Sequence, residues 1–120
     1  MALPDQYWKL ISLNGETVNP NENQRSEAYI TFSDEGNQVM GNSSCNNFSG
    51  TYEHNREESS LSFSPMMATK MACIDQMELE RKFFQALQKT HSYSIEGDIL
   101  TLSHENGEAL AKFKAAADPR

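Results

Sequence analysis

Long apolar runs are missing from this chain of 120 residues. No window approaches the roughly 20 apolar residues that a membrane-crossing helix needs. The opening MALPDQYW has neither the basic start nor the apolar stretch of an export signal. That fits a cytoplasmic protein, and equally a mature exported segment placed behind a new Met1. Basic charge is scarce as well. Ten Lys and Arg stand against seventeen Asp and Glu, for a net charge of -7. Phosphate backbones and anionic lipid surfaces would repel such a chain, so nucleic acid is not an expected partner.

The groupings that carry catalysis are equally thin. The six glycines are dispersed and form neither GxGxxG nor GxxxxGK(S/T), which excludes the usual phosphate cradles. His54, His91 and His104 stand at no metal-ligand spacing and read as solvated imidazoles. Glu57 and Glu58 would point to opposite faces of a strand, and Glu78 and Glu80 diverge on a helix, so neither pair makes an acid–base couple. A Cys–His hydrolase lacks an orienting Asn or Asp at a recognisable spacing. The expectation is therefore no enzyme, no cofactor and no metal centre.

What the chain does contain is a series of short β-favouring stretches separated by turn residues. YWKLISL ends at Asn14-Gly15, a pair that supplies the positive φ of a tight turn. NPNENQRSE reads as an exposed loop. In AYITF, strict alternation would set Ala28, Ile30 and Phe32 on one face and Tyr29, Thr31 and Ser33 on the other. VMGNSS, FSGTYEH and LSFSPM supply three more strands, with Pro65 at a strand end or edge. Residues 91–113 alternate through turns at Gly97-Asp98 and Asn106-Gly107 and read as a three-strand meander. The tail KAAADPR reads as frayed.

A single helix is expected over about residues 76–89. Asp75 and Glu78 mark its start as a capping pair, and Lys89 suits its negative end. Leu79, Phe83 and Leu87, widened by Met77 and Phe84, form the apolar stripe, while Glu80, Arg81, Lys82, Gln85 and Gln88 supply the wet face. About seven to eight short strands and one helix define an α+β domain. Its sheet is a strongly curved antiparallel sheet or an open barrel, with the helix on its apolar face or across one end. Residues 1–120 make one domain, with a core of about 7–113.

Two sulfur features remain. Cys45 sits among Asn, Ser and Gly in GNSSCNNFSG, and Cys73 in TKMACIDQ is its one possible partner. The pair admits a disulfide, a soft-metal site, or a nucleophile with a bystander. In an oxidising compartment two cysteines in a small domain read most economically as one bridge, closing a loop worth roughly 3–4 kcal/mol. Met66, Met67, Met71 and Cys73 also crowd into eight residues, a donor set suited to Cu(I). The plainer reading of the methionines is adaptable core filling under the helix.

Taken together, YWKLISLNG, GNSSCNNFSGTY, LSFSPMMATKMAC, ELERKFFQAL, YSIEGDILTL and GEALAKF closely resemble the META domain, or HslJ-like, family from about Tyr7 to Phe113. Ser44 stands where that family commonly has glycine. The resemblance implies a strongly curved antiparallel sheet with one helix and a pairing of Cys45 with Cys73. It also implies an exported bacterial protein, periplasmic or outer-membrane associated, linked to stress tolerance such as heat shock. It brings no enzyme activity. The leading expectation is thus a non-catalytic envelope domain acting through contacts with other envelope proteins. The alternatives are a carrier of a lipid or small apolar ligand lined by Phe83, Phe84 and Leu87, and Cu(I) binding through the Met/Cys cluster.

Overall fold

The structure is a computed structural model and describes residues 3–18, 28–43, 46–69 and 77–116. A 3-10 turn, Leu3–Asp5, leads into β1 (Tyr7–Leu13), β2 (Glu16–Thr17), β3 (Tyr29–Ser33), β4 (Gln38–Asn42), β5 (Asn47–Asn55), β6 (Ser60–Phe63) and β7 (Met67–Ala68). The helix α1 (Met77–Lys89) follows, then β8 (Ser92–Glu96), β9 (Ile99–Ser103) and β10 (Ala109–Ala116). The pairing runs β10-β9-β8-β6-β5-β4-β3-β1, and β1 pairs again with β10, so eight antiparallel strands close a barrel. β2 adds to β1 and β7 adds to β5. The α+β expectation of a curved sheet or barrel with one helix therefore holds.

Three of the six β1–β10 pairs that close the barrel fall on residues that the sequence reads as tail. Lys114, Ala115 and Ala116 pair with Lys9, Trp8 and Tyr7. This corrects the expectation of fraying for those three residues: backbone bonds to β1 hold them although their side chains carry little strand preference. The register slips between Leu10 and Ser12 in β1 and between Ala109 and Ala111 in β10. Such bulges bend a strand and raise its twist. The one in β10 lets the consecutive Leu110 and Ala111 both be buried.

Elsewhere alternation sets the inside and the outside as the sequence predicts. In β3, Ile30 and Phe32 are buried while Thr31 is half-buried and Ser33 exposed. Trp8, Val39, Leu61, Leu100, Leu102 and Phe113 are also fully buried in the interior. The Trp8 indole donates to the Leu3 carbonyl at 3.1 Å, which satisfies its one polar atom. Asn14 and Gly15 adopt φ of 53° and 84°, as their turn requires.

The thinnest seam of the barrel lies between β6 and β8, where Ser60 faces Ser92. Leu61 N–H donates to the His91 carbonyl at 3.0 Å and Tyr93 N–H to that of Ser59 at 2.9 Å. Helix α1 packs against β6, β9, β10 and β1 and closes this end. Phe83, Ala86 and Leu87 are buried, with Leu79 and Phe84 half-buried beside them. Phe83 meets Phe48 edge-on at 5.5 Å and lies 5.9 Å from Phe113; Phe84 meets Phe48 at 5.4 Å. Asp75 lies outside the described residues. At the other end Thr90 Oγ1 donates to the Ala86 carbonyl at 2.8 Å.

Candidate functional site

Two neighbouring features stand out on the side of the barrel built by β3, β4, β5 and β7. The first is a polar knot at the corner between β4 and β5, where Ser43 and Asn46 are buried. Ser43 Oγ accepts from the Asn46 backbone N–H at 3.1 Å and donates to Glu80 Oε1 at 2.8 Å. Asn46 Nδ2 donates to the same carboxylate oxygen at 2.7 Å, and Asn46 Oδ1 accepts from Thr69 Oγ1 at 2.8 Å. Thr69 Oγ1 in turn accepts from the Asn47 N–H at 3.1 Å. One buried amide thus joins the corner to Thr69 on one side of residues 70–76 and to Glu80 on the other. Hydrogen bonds to an ionised carboxylate are the stronger kind, so this is a rigid anchor.

Glu80 was expected on the wet face of the helix. Its carboxylate instead reaches the corner, because the first turn of α1 lies against Ser43 and Asn46. The available signal was the Asn/Ser-rich stretch around Cys45, since polar side chains that become buried must find partners.

The second feature is a groove on the outer face of the sheet. β4 sets Met40 opposite Ser49, and β7 sets Met67 opposite Ser49 from the other side. Met40, Ser49 and Met67 therefore form a row across three strands. Met67 is 78% exposed and Met40 49%, the two large apolar side chains that stand most open to solvent among the described residues. Between them lies a hollow of about 590 Å³, lined by Tyr29, Gly41, Ser49 and Thr69 as well as the methionines. Tyr29 is stacked on Tyr7 at 4.6 Å. Among the described residues no charged side chain lines the hollow, in a chain of net charge -7. Its volume falls in the range of roughly 300–1,000 Å³ that ligand-sized sites occupy.

Glycine makes this wall possible. A Cβ on Gly41 would strike the Tyr29 carbonyl oxygen and the Phe48 ring. The strands pack so closely there that only hydrogen fits.

Among the described residues singled out from the sequence, Phe83, Phe84 and Leu87 lie on α1 and Met66 and Met67 on the far side of β5 from β4. Phe83 and Leu87 are fully buried, and Phe83 is held between aromatic rings. Phe84 borders a second, open hollow of about 480 Å³ with Glu78, Glu80 and Arg81. The lining proposed for an apolar ligand is thus divided between the core and the surface. Met66 and Met67 also part company: Met66 packs against the core, its sulfur beside Gly50, while Met67 faces solvent. Consecutive residues of an extended segment point opposite ways, which is why Met66 and Met67 do not share a face. Met71, Cys45 and Cys73 lie outside the described residues. Among the described residues no group of three or more His, Cys, Asp and Glu is arranged to hold a metal ion.

At the far end of the barrel, Tyr52 donates its hydroxyl to the Ser33 carbonyl at 3.2 Å and meets Phe32 edge-on at 5.1 Å. Burial, and then the nearby Asp34 carboxylate, push its pKa above the ordinary tyrosine value. The folded protein therefore keeps this proton where the unfolded chain loses it. Its stabilising effect is complete below about pH 10 and is lost as pH rises through the raised folded value. Absorbance titration at alkaline pH should show one of the four tyrosines ionising later than it does in denaturant. Tyr52→Phe should remove that late step and cost about 1 kcal/mol in urea unfolding.

A helix-capped antiparallel barrel with an uncharged groove on its wall is the class of domain that these features define. The chain belongs to the META domain family, whose profile matches residues 1–117. No curated protein matches it. Among solved structures, it is similar to a protein from Burkholderia xenovorans determined by NMR. The TM-score is 0.74 at 23% identity, over 97% of this chain and 85% of that one. A second NMR structure aligns with a TM-score of 0.69 at 23% identity, over 93% and 90% of the two chains. A crystal structure of a DUF4847 family protein from Bacteroides vulgatus aligns with a TM-score of 0.72 at 15% identity, over 93% of each chain. These likenesses establish a shared fold.

Proposed function

We propose that this META domain is a non-catalytic domain of the bacterial envelope, contributing to stress tolerance by holding a short extended segment of another envelope protein. The groove between Met40 and Met67 carries this reading. Its described lining is uncharged although the chain is strongly acidic, which favours an uncharged apolar segment over a basic one as its complement. Its volume of about 590 Å³ suits a few side chains. A peptide fits these limits better than a second folded domain. Methionine suits the task because its flexible, polarisable side chain adapts to varied apolar partners.

Fluorescence anisotropy with a labelled, end-capped heptapeptide of alternating leucine and serine tests the reading. Met67→Asp should weaken binding about tenfold or more, and Met67→Leu should preserve it. Equal affinity in wild type and Met67→Asp would remove the groove from the function.

A bridge between Cys45 and Cys73 belongs to the same reading, since disulfides persist in the oxidising compartments of exported proteins. Asn46, next to Cys45, is bonded to Thr69 and Glu80, which flank the stretch that carries Cys73. Intact mass after denaturing, non-reducing alkylation of protein from an oxidising compartment should show no label. Uptake of two labels would overturn the bridge and weaken the envelope assignment.

A further inference from the structure

We infer that Met40 and Met67 form a surface site for a soft monovalent ion, Cu(I) in chemistry, with Ag(I) as a redox-stable probe. The inference does not depend on peptide binding; the two thioethers can share an ion whether or not the groove ever holds a segment.

Register is the first support. Both residues are partners of Ser49, one from β4 and one from β7, so they stand on the same face at the same level. With strands about 4.8 Å apart, their backbones are separated by roughly 10 Å. Two unbranched stems with three rotatable bonds each can close that gap from opposite sides, over a small Ser49 that does not obstruct them. Exposure is the second support. At 78% and 49% exposed, neither sulfur has to leave a packed position to reach an ion, unlike Met66, which is lodged beside Gly50 against the core.

Donor chemistry is the third. Among the described residues the hollow offers two thioethers and no carboxylate or imidazole. Hard ions such as Mg²⁺ and Ca²⁺ need several oxygen ligands, and Zn²⁺ prefers thiolate, imidazole or carboxylate, whereas thioethers favour Cu(I). The net charge of -7 favours the approach of any cation. The sequence grouped Met67 with Met66, Met71 and Cys73; the strand register sets it level with Met40, on the face away from Met66.

The test uses the full chain, with any free thiol alkylated, labelled with ¹³C at the methionine methyl groups and titrated with silver nitrate in chloride-free buffer. Among the six methionines, the signals of Met40 and Met67, assigned through Met40→Leu and Met67→Leu, should move together and saturate at a single ion per chain. Either Leu variant should weaken silver binding about tenfold or more, because each removes half of the donor set. Met66→Leu should leave it unchanged. Movement of Met67 without Met40, saturation on other methionines, or full affinity in both Leu variants would overturn the site. The Leu substitutions conserve volume at exposed positions, so loss of fold does not obscure the outcome.

Discussion

Gly41→Ala is expected to destabilise the domain by about 3 kcal/mol, a large share of the roughly 5–15 kcal/mol that holds a typical domain together. The added methyl would meet the Tyr29 carbonyl oxygen, which is backbone in a neighbouring strand and cannot rotate aside. On its other side stands the Phe48 ring, itself packed edge-on against Phe83 and Phe84. Relief requires β3 and β4 to part exactly where Ile30 and Gly41 pair, or Phe48 to leave the core. Gly50→Ala makes the comparison. There the new Cβ would lie 2.7 Å from Met66 Sδ and 3.0 Å from Ser64 Oγ. Both are side-chain atoms, and a methionine swings away at modest cost, so about 1 kcal/mol is expected. Urea midpoints of the two variants, measured beside wild type, check the pair. Equal losses would mean that the approach of β3 to β4 is not the constraint described here.

Asn46→Ala should cost about 2–4 kcal/mol, since it strips partners from two buried or half-buried groups at once. Glu80 Oε1 would lose its Nδ2 donor, and Thr69 Oγ1 would lose its acceptor. Because Asn46 and Glu80 act on each other, their losses should not add. The double variant Asn46→Ala/Glu80→Ala should be about 1 kcal/mol or more less destabilised than the sum of the singles. Additive losses in urea unfolding would show that the knot is two independent contacts rather than one unit. The expected loss matters for the groove as well, because Asn47 and Thr69, bonded to this knot, also line it.

How much of this the sequence disclosed depends on whether the determining contact is local. The alternation of Ile30 and Phe32, the Asn14-Gly15 turn, and the stripe of Phe83 and Leu87 are settled by neighbours a few positions away, and each stands as expected. Closure of the barrel is different. Tyr7 meets Ala116 across almost the whole length of the chain, and alanine and lysine announce no strand. The groove fails to show for the same reason. Alternation sets Met40 opposite in direction to Val39, yet nothing local says that β7 will place Met67 at the same level. Glu80 shows a third kind of loss: its helical position reads as solvated, and only the fold of the corner brings Ser43 and Asn46 to it.

The most direct measurement of whether the groove is the working surface is amide shift mapping of the ¹⁵N-labelled full chain with the unlabelled, end-capped leucine–serine heptapeptide. Saturable shifts should concentrate on Tyr29, Met40, Gly41, Ser49, Met67 and Thr69, and should vanish in Met67→Asp. Shifts that gather instead along the outer face of α1 around Phe84, or around Tyr52 at the far end of the barrel, would contradict the assignment of function to this wall.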